Sequence, residues 1–176
     1  MNLYEKTLSE ESIFKCSFME LVKQQVLLPD GNKVERDLVK HSDGVAVIAF
    51  NEKGNVLMVE QFRKPFDKNL LELPAGKVDY GEDIDKAAFR ELEEETGYKT
   101  DKVTYLGKVI PSPGFCDEVV YLYKAHELKK SKTNLDDDEF LNLKEYSLEE
   151  LKKMIIEGKI IDAKTVACLF FYENLK

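Results

Sequence analysis

The stretch from Gly76 to Tyr98, GKVDYGEDIDKAAFRELEEETGY, constrains this chain more than any other. Pro74, Ala75 and Gly76 break the extended run Leu70 to Leu73, and Gly81 closes a turn. Ile84 to Thr96 then has the apolar spacing of a helix, with Gly97 as its C-terminal stop. The segment is strand, loop, helix. At about 100° per residue, Ile84, Ala88, Leu92 and Phe89 share a core-facing sector, and Glu91 and Glu95 fall about 20° to either side of Ile84. A run of glutamates is ordinarily a solvated face. Glu93, which points away from the core, fits that description; Glu91 and Glu95 do not. Carboxylates at a buried border repel one another and lose hydration unless a cation holds them, and hard oxygen ligands suit Mg²⁺ or Mn²⁺. The spacing therefore points to a divalent metal site.

The rest of the chain is consistent with one compact enzyme domain. It has 176 residues, 43% of them hydrophobic, enough to bury a core without disulfide staples. A net charge of −8 with no long Lys/Arg cluster argues against nonspecific nucleic-acid binding. Cys16, Cys116 and Cys168 are widely separated and lack metal-ligand spacing, so they read as free thiols of a reducing compartment, the cytoplasm. Met1 to Ser12 is mostly polar and no apolar run is long enough to cross a bilayer.

Before the central block, the first forty or so residues alternate roughly between apolar and polar, and Leu28 to Asn32 makes a turn between two extended arms, an N-terminal hairpin. Gly44 to Phe50 and Asn55 to Glu60, separated by a Gly54 turn, read as buried central strands. Beyond the helix, Lys102 to Ile110 and Glu118 to Ala125 are strand candidates. Asp136 to Asp138 open an acidic loop leading to a further strand at Phe140 to Leu143. Ser147 with Glu150 forms a capping box before a helix that Gly158 ends. Asp162 caps a final apolar helix through Phe171. Strands flanked by helices give a mixed α/β fold.

The spacing from Gly76 is five residues to Glu82, seven more to Arg90-Glu91-Leu92, then Glu94-Glu95 and Gly97. This pattern resembles the signature of the Nudix hydrolases, in which a loop and helix gather carboxylates around Mg²⁺ to split a nucleoside diphosphate linked to another group. One position departs: a small aliphatic residue usually follows the last glycine, and here Tyr98 supplies the apolar body. The resemblance implies an α/β/α sandwich with a mixed sheet over 43–176 and an N-terminal β-hairpin arm over 1–42. It also implies that Glu91, Glu95 and the Ala75 carbonyl are metal ligands, with Glu94 and then Glu82 in support. Gly76 lets the chain approach closely. Arg90 has two readings, a salt bridge that orients neighbouring carboxylates and a direct catalytic role; the first is preferred.

Outside the signature, Pro111-Ser112-Pro113-Gly114-Phe115 is similar to the proline-bearing loop of the ADP-ribose pyrophosphatase branch. Val39-Lys40-His41 and Gln61-Phe62-Arg63-Lys64-Pro65 are similar to that branch too. Taken alone, the proline loop is a rigid turn between strands. The branch implies Mg²⁺-dependent hydrolysis of ADP-ribose to AMP and ribose 5-phosphate, with Mn²⁺ as the other candidate metal. It also implies a homodimer in which the arm of one subunit helps form the other's substrate site. Arg36 and Arg63 are the candidates for pyrophosphate contacts, each with the alternative of a surface arginine. Ser112, Gly114, Phe115 and Glu118 are the candidates for lining the ribose or adenosine, and Phe115 or Tyr4 for stacking on the base. Glu139, the last member of the run Asp136 to Glu139, is the choice for general base, against the plainer reading of that run as a solvated turn. His41 and His126 are read as ordinary polar contacts.

Two other functions stay open at this point. The same helix would serve another nucleoside diphosphate sugar, a dinucleoside polyphosphate or an oxidised nucleoside triphosphate, because it meets only the phosphates. A Nudix-like domain can also bind ADP-ribose as a sensor without cleaving it, although such modules often lose the glutamates that this chain retains at Glu91, Glu94 and Glu95.

Overall fold

The computed structural model describes residues 2–135 and 139–175. Asp136, Asp137 and Asp138 of the acidic loop lie outside the described residues. The elements run β1 Lys6–Lys15, β2 Met19–Leu27, β3 Lys33–His41, β4 Gly44–Ile48, β5 Val56–Arg63, β6 Lys68–Glu72, β7 Ala75–Lys77 and α1 Ile84–Thr96. They continue with β8 Tyr98–Lys99, β9 Lys102–Val109, β10 Val120–His126, β11 Lys129–Lys130, β12 Leu141–Tyr146, α2 Leu148–Ile156 and α3 Ala163–Asn174.

The central sheet has the order β7-β4-β10-β9. Its one parallel pair, β4 with β10, sets Gly44 beside Val120, and the other neighbours are antiparallel. Side chains alternate along β4, so each face meets a different layer. Val45, Val47 and Ala49 pack with Ala87, Ala88 and Leu92 of α1. Ala46 and Ile48 pack instead with Leu122, Leu151 of α2 and Leu169 of α3. The result is the expected α/β/α sandwich. A second antiparallel sheet, β12-β5-β6, runs beside it; Leu57 joins the α1 cluster while Val56 and Met58 join the other.

Local chemistry sets the helix limits where the sequence places them. The Asp83 side chain accepts from Lys86 N at 3.2 Å to start α1, and Gly97 ends it with φ 68°, in the left-handed region. Ser147 and Glu150 form the reciprocal capping box of α2. Asp162 accepts from Thr165 N at 3.0 Å, and α3 continues three residues beyond Phe171.

The N-terminal region differs from a hairpin. The turn at Leu28 to Asn32 does join two paired strands, β2 and β3, but β1 folds back onto β2 and makes a three-stranded sheet. Every residue of β1 is exposed. The sequence KTLSEESIFK has no buried face to advertise, which is why periodicity did not separate it from a general extended arm. The β1–β2 turn carries Phe18 to the edge of the main domain, where its ring meets that of His41 edge-on at 5.6 Å between centroids.

One buried polar group fastens three elements. Glu72, at the end of β6, is 2% exposed. Its Oε1 accepts from Arg63 Nε at 2.7 Å and its Oε2 from Arg63 Nη2 at 2.8 Å, and Lys164 Nζ of α3 also donates to it. Burial pushes this carboxyl up, but the Arg63 and Lys164 cations outweigh it and hold the pKa at about 2. Because the folded pKa lies below the ordinary 4.5, the group's stabilisation is complete above 4.5 and is lost as pH falls through about 2.

Two outcomes are expected of denaturation experiments. Glu72→Gln leaves Arg63 without its carboxylate partner and Lys164 with Asp162 alone, and lowers stability by about 3 kcal/mol at neutral pH; the gap to wild type narrows below pH 4.5 and closes near pH 2. Leu92→Ala, at a fully buried knob of α1, costs about 3 kcal/mol, read as a lower urea midpoint with unchanged m.

Candidate active site

Leu73, Pro74 and Ala75 link β6 to β7 and are held from three directions. Leu73 N donates to Thr165 Oγ1 at 2.9 Å, Val47 N donates to Pro74 O at 2.9 Å, and Ala75 N donates to Glu95 Oε2 at 2.8 Å. Glu95 is 2% exposed and Glu91 is half-buried one turn before it on the same face of α1. Gly76 lies flat against that face. A Cβ built there would come within 2.1 Å of the Glu91 carboxyl carbon, so a larger residue would push that carboxylate out of its present place.

These two carboxylates are short of countercharge. Burial raises Glu95 to about 8; the Ala75 N–H works against it, while Glu91 and Glu139 add to it. Glu91 rises to about 7, again chiefly through burial, with Arg90 opposing and Glu94 and Glu139 adding. Arg90 Nη1 takes Glu91 Oε1 at 2.8 Å, and Ala75 N takes one oxygen of Glu95. The second oxygen of each accepts no hydrogen bond among the described residues. Crowded, underhydrated oxygens beside a closely approaching backbone form a donor set that fits a hard divalent cation. Among the described residues no three Asp, Glu, His or Cys side chains converge tightly enough to cage an ion unaided. Further oxygens must come from backbone, water or substrate.

Arg90 sits at the hub of the signature. Its Nε and Nη2 donate to the two oxygens of Glu82 at 3.0 and 2.9 Å, its Nη1 to Glu91 and to Glu94 at 2.8 and 2.9 Å, and Nη2 also to Lys77 O at 2.9 Å. The guanidinium therefore ties the loop to three glutamates and is not among the residues lining the cleft described below. Glu82, the weakest metal candidate by sequence, is engaged by Arg90 and by Asp79 N at 3.0 Å. Glu93 departs from the solvated position expected of it: it is half-buried and accepts from Ser131 Oγ.

A cleft of about 510 Å³ opens beside Glu91, Ala75 and Gly76. Arg63, Lys164 and Lys77 bring positive charge to its walls, and Glu118 and Glu139 bring negative. Glu139 accepts from Gln61 Nε2 at 2.9 Å, which steers the carboxylate. Phe18 and His41 close one end, with Lys77 Nζ 4.9 Å from the Phe18 ring centroid. Of the residues expected to meet substrate, Arg63, Glu118 and Glu139 are brought together here. Arg36 is not: its guanidinium pairs with Glu5 at 2.9 and 3.1 Å within the arm. Nor are Ser112, Gly114 and Phe115, whose turn docks on β3 through Val39 N to Phe115 O at 2.7 Å. Tyr4 is 69% exposed and does not line the cleft.

Sequence reasoning passed over Phe18, Lys77 and Lys164 and treated His41 as incidental. Only the last carried a local signal, in the Val39-Lys40-His41 phrase. Phe18 and Lys164 arrive from opposite ends of the chain, and nothing in their neighbourhoods marks them.

The NUDIX domain family model matches residues 40–167. An ADP-ribose pyrophosphatase of Bacillus subtilis is 41% identical over 174 residues, spanning 98% of this chain and 94% of that protein. A methanol dehydrogenase activator of Bacillus methanolicus is 43% identical over 171 residues, spanning 96% of this chain and 92% of that protein. A crystal structure of an ADP compounds hydrolase superposes with a TM-score of 0.87 at 18% identity, covering 98% of this chain and 95% of that one, and shows the same fold. With the signature loop and helix joined through Arg90 and Glu95, and the match extending over most of its length, the chain belongs to the NUDIX family.

Proposed function

We propose that this protein hydrolyses the pyrophosphate bond of ADP-ribose, giving AMP and ribose 5-phosphate, with Mg²⁺ as its metal and Mn²⁺ as a substitute. The observation that carries the reading is the buried, undercompensated pair Glu91 and Glu95 beside Ala75 and Gly76, with Glu91 on the wall of a cleft that Arg63 and Lys164 also line. Likeness to ADP-ribose pyrophosphatases over nearly the whole chain supports the choice of substrate.

Glu91, Glu95 and the Ala75 carbonyl are the primary metal ligands in this reading, and Glu94 is auxiliary. A divalent cation held by these residues would supply positive charge for the phosphate oxygens and make a water molecule a better nucleophile. Arg63 draws the pyrophosphate in: Nε and Nη2 are committed to Glu72, which leaves Nη1 for a phosphate oxygen. Glu139, held by Gln61, accepts the proton of the attacking water. Water adds to one phosphorus as the bridging oxygen leaves with the other phosphate, and no covalent intermediate forms. Arg90 acts as a positioning residue, since its contacts are to Glu82, Glu91, Glu94 and Lys77 O. Glu118 and Phe18 also line the cleft and are assigned to the nucleoside or terminal ribose.

The protein is assigned to the cytoplasm as a homodimer, with residues 1–42 as the dimerisation arm of a catalytic domain over 43–176. Free cysteines Cys16, Cys116 and Cys168 agree with a reducing compartment. The wholly exposed β1 carries Leu8, Ile13 and Phe14 on its surface, at 40, 50 and 54% exposure, three apolar side chains that a second subunit would cover. In such a dimer Arg36, Ser112, Gly114 and Phe115 would meet the substrate only through the partner's cleft. Their position outside the cleft of their own chain favours the second reading, a Nudix hydrolase acting on another nucleoside diphosphate sugar.

Incubation with Mg²⁺ and a panel of ADP-ribose, ADP-glucose, GDP-mannose, a diadenosine polyphosphate and a deoxynucleoside triphosphate is the direct test. Chromatography should show AMP and ribose 5-phosphate formed preferentially; preference for another member would leave the metal chemistry and replace the substrate. Glu139→Gln should lower kcat by about a hundredfold or more with metal affinity retained. Gly76→Ala should fold but lose metal binding and turnover together, because the added methyl occupies the place of the Glu91 carboxylate.

A further inference from the structure

The first turn of α3 reaches the residues that lead into the metal loop. Thr165 is fully buried, and its hydroxyl does two things at once. It donates to Asp162 Oδ2 at 2.6 Å, which turns its lone pairs toward the loop, and it accepts the Leu73 N–H at 2.9 Å. Asp162 is fixed in turn by Thr165 N at 3.0 Å and Lys164 Nζ at 3.0 Å. Lys164 also holds Glu72, the residue before Leu73. Glu72, the last residue of β6, and Leu73 after it are thus gripped by Lys164 and Thr165 of one helical turn, each 92 positions later in the chain. Ala75 follows two residues after Leu73, and its N–H binds Glu95.

We propose that Thr165 is a positioning residue for the metal site: through Leu73 it sets where the Ala75 carbonyl lies relative to Glu91 and Glu95. A buried N–H needs an acceptor, and here Thr165 Oγ1 is that acceptor for Leu73. The link has few other ways to hold its register, since Pro74 lacks an N–H and offers only its carbonyl to Val47. Removing the acceptor lets the strand end shift, and Ala75 and Glu95 shift with it. The inference rests on the metal-site reading given above.

The test measures Mn²⁺ binding directly, by electron paramagnetic resonance and calorimetry without substrate, at a temperature where circular dichroism shows each protein folded. Wild type is compared with Thr165→Val, which keeps the shape and removes the acceptor, and with Thr165→Ser, which restores it. Leu169→Ala, one turn along α3 in the apolar core, controls for lost stability alone. The Val variant should bind Mn²⁺ about tenfold more weakly, the Ser variant like wild type, and Leu169→Ala like wild type despite a lower Tm. Asp162→Asn, which weakens the acceptor that orients the hydroxyl, should shift affinity in the same direction and stands in if Thr165→Val does not fold. Unchanged affinity in Thr165→Val, or in Asp162→Asn where it stands in, overturns the proposal, as does an equal loss in Leu169→Ala. Failure of wild type itself to bind Mn²⁺ would instead remove the metal-site reading, and the inference with it.

Discussion

Glu95 is a buried carboxylate on α1 whose hydrogen-bond partner is the Ala75 N–H of the preceding loop, and much of the site is arranged around that bond. A carboxylate placed there loses most of its hydration, and one N–H does not replace it. The remaining deficit is what suits the place to a cation. The loop must come close to supply the N–H, which requires Gly76. The helix must be held at a fixed height over the sheet, which Ala87, Ala88 and Leu92 achieve by packing on Val45, Val47 and Leu57. Arg90 then divides its donors among the neighbouring glutamates, so that Glu91 retains one open oxygen and its repulsion from Glu94 is offset.

The cationic side of the cleft follows a related logic. Without Glu72 between them Arg63 and Lys164 would repel each other, and only Lys164, through Asp162, would keep a partner. With it, both are pinned to one buried anion and still face the cleft. The molecule therefore presents two charged walls, each stabilised from behind by groups of opposite sign, and a polyanionic substrate bridged by metal would complete both.

The part of this that local sequence could express was readable. Helix α1 starts and stops where Asp83 and Gly97 place it, and the glutamates on its buried border are the ones that line the loop. Ser147 and Asp162 mark helix starts by the same local chemistry. What was not readable depends on contacts made across the chain. Strand β1 sets Leu8, Ile13 and Phe14 among polar residues with no regular alternation, so nothing in its pattern required a partner, yet it pairs with β2. Glu72 looked like one more residue of an apolar run until Arg63 and Lys164 were seen to meet it. The Ser112 to Phe115 turn was legible as a turn, but its docking on Val39 is a tertiary fact. Phe18 was an unremarkable aromatic in an extended arm, and its place beside His41 and Lys77 comes from the way the arm folds back.

The parallel pairing of β4 with β10 joins residues 76 positions apart, Gly44 with Val120, and the cleft draws on residues as distant as Phe18 and Lys164. Only the loop and helix of the signature are close neighbours in sequence. Such a site has no local precursor: while the chain is being made, the glutamates of α1 emerge long before the strand that anchors their sheet and the helix that supplies Lys164. Long-range closures of this kind slow folding. Until they are complete, the acidic helix is an ordinary charged segment in water, with neither the burial nor the opposing cations that the finished cleft gives it.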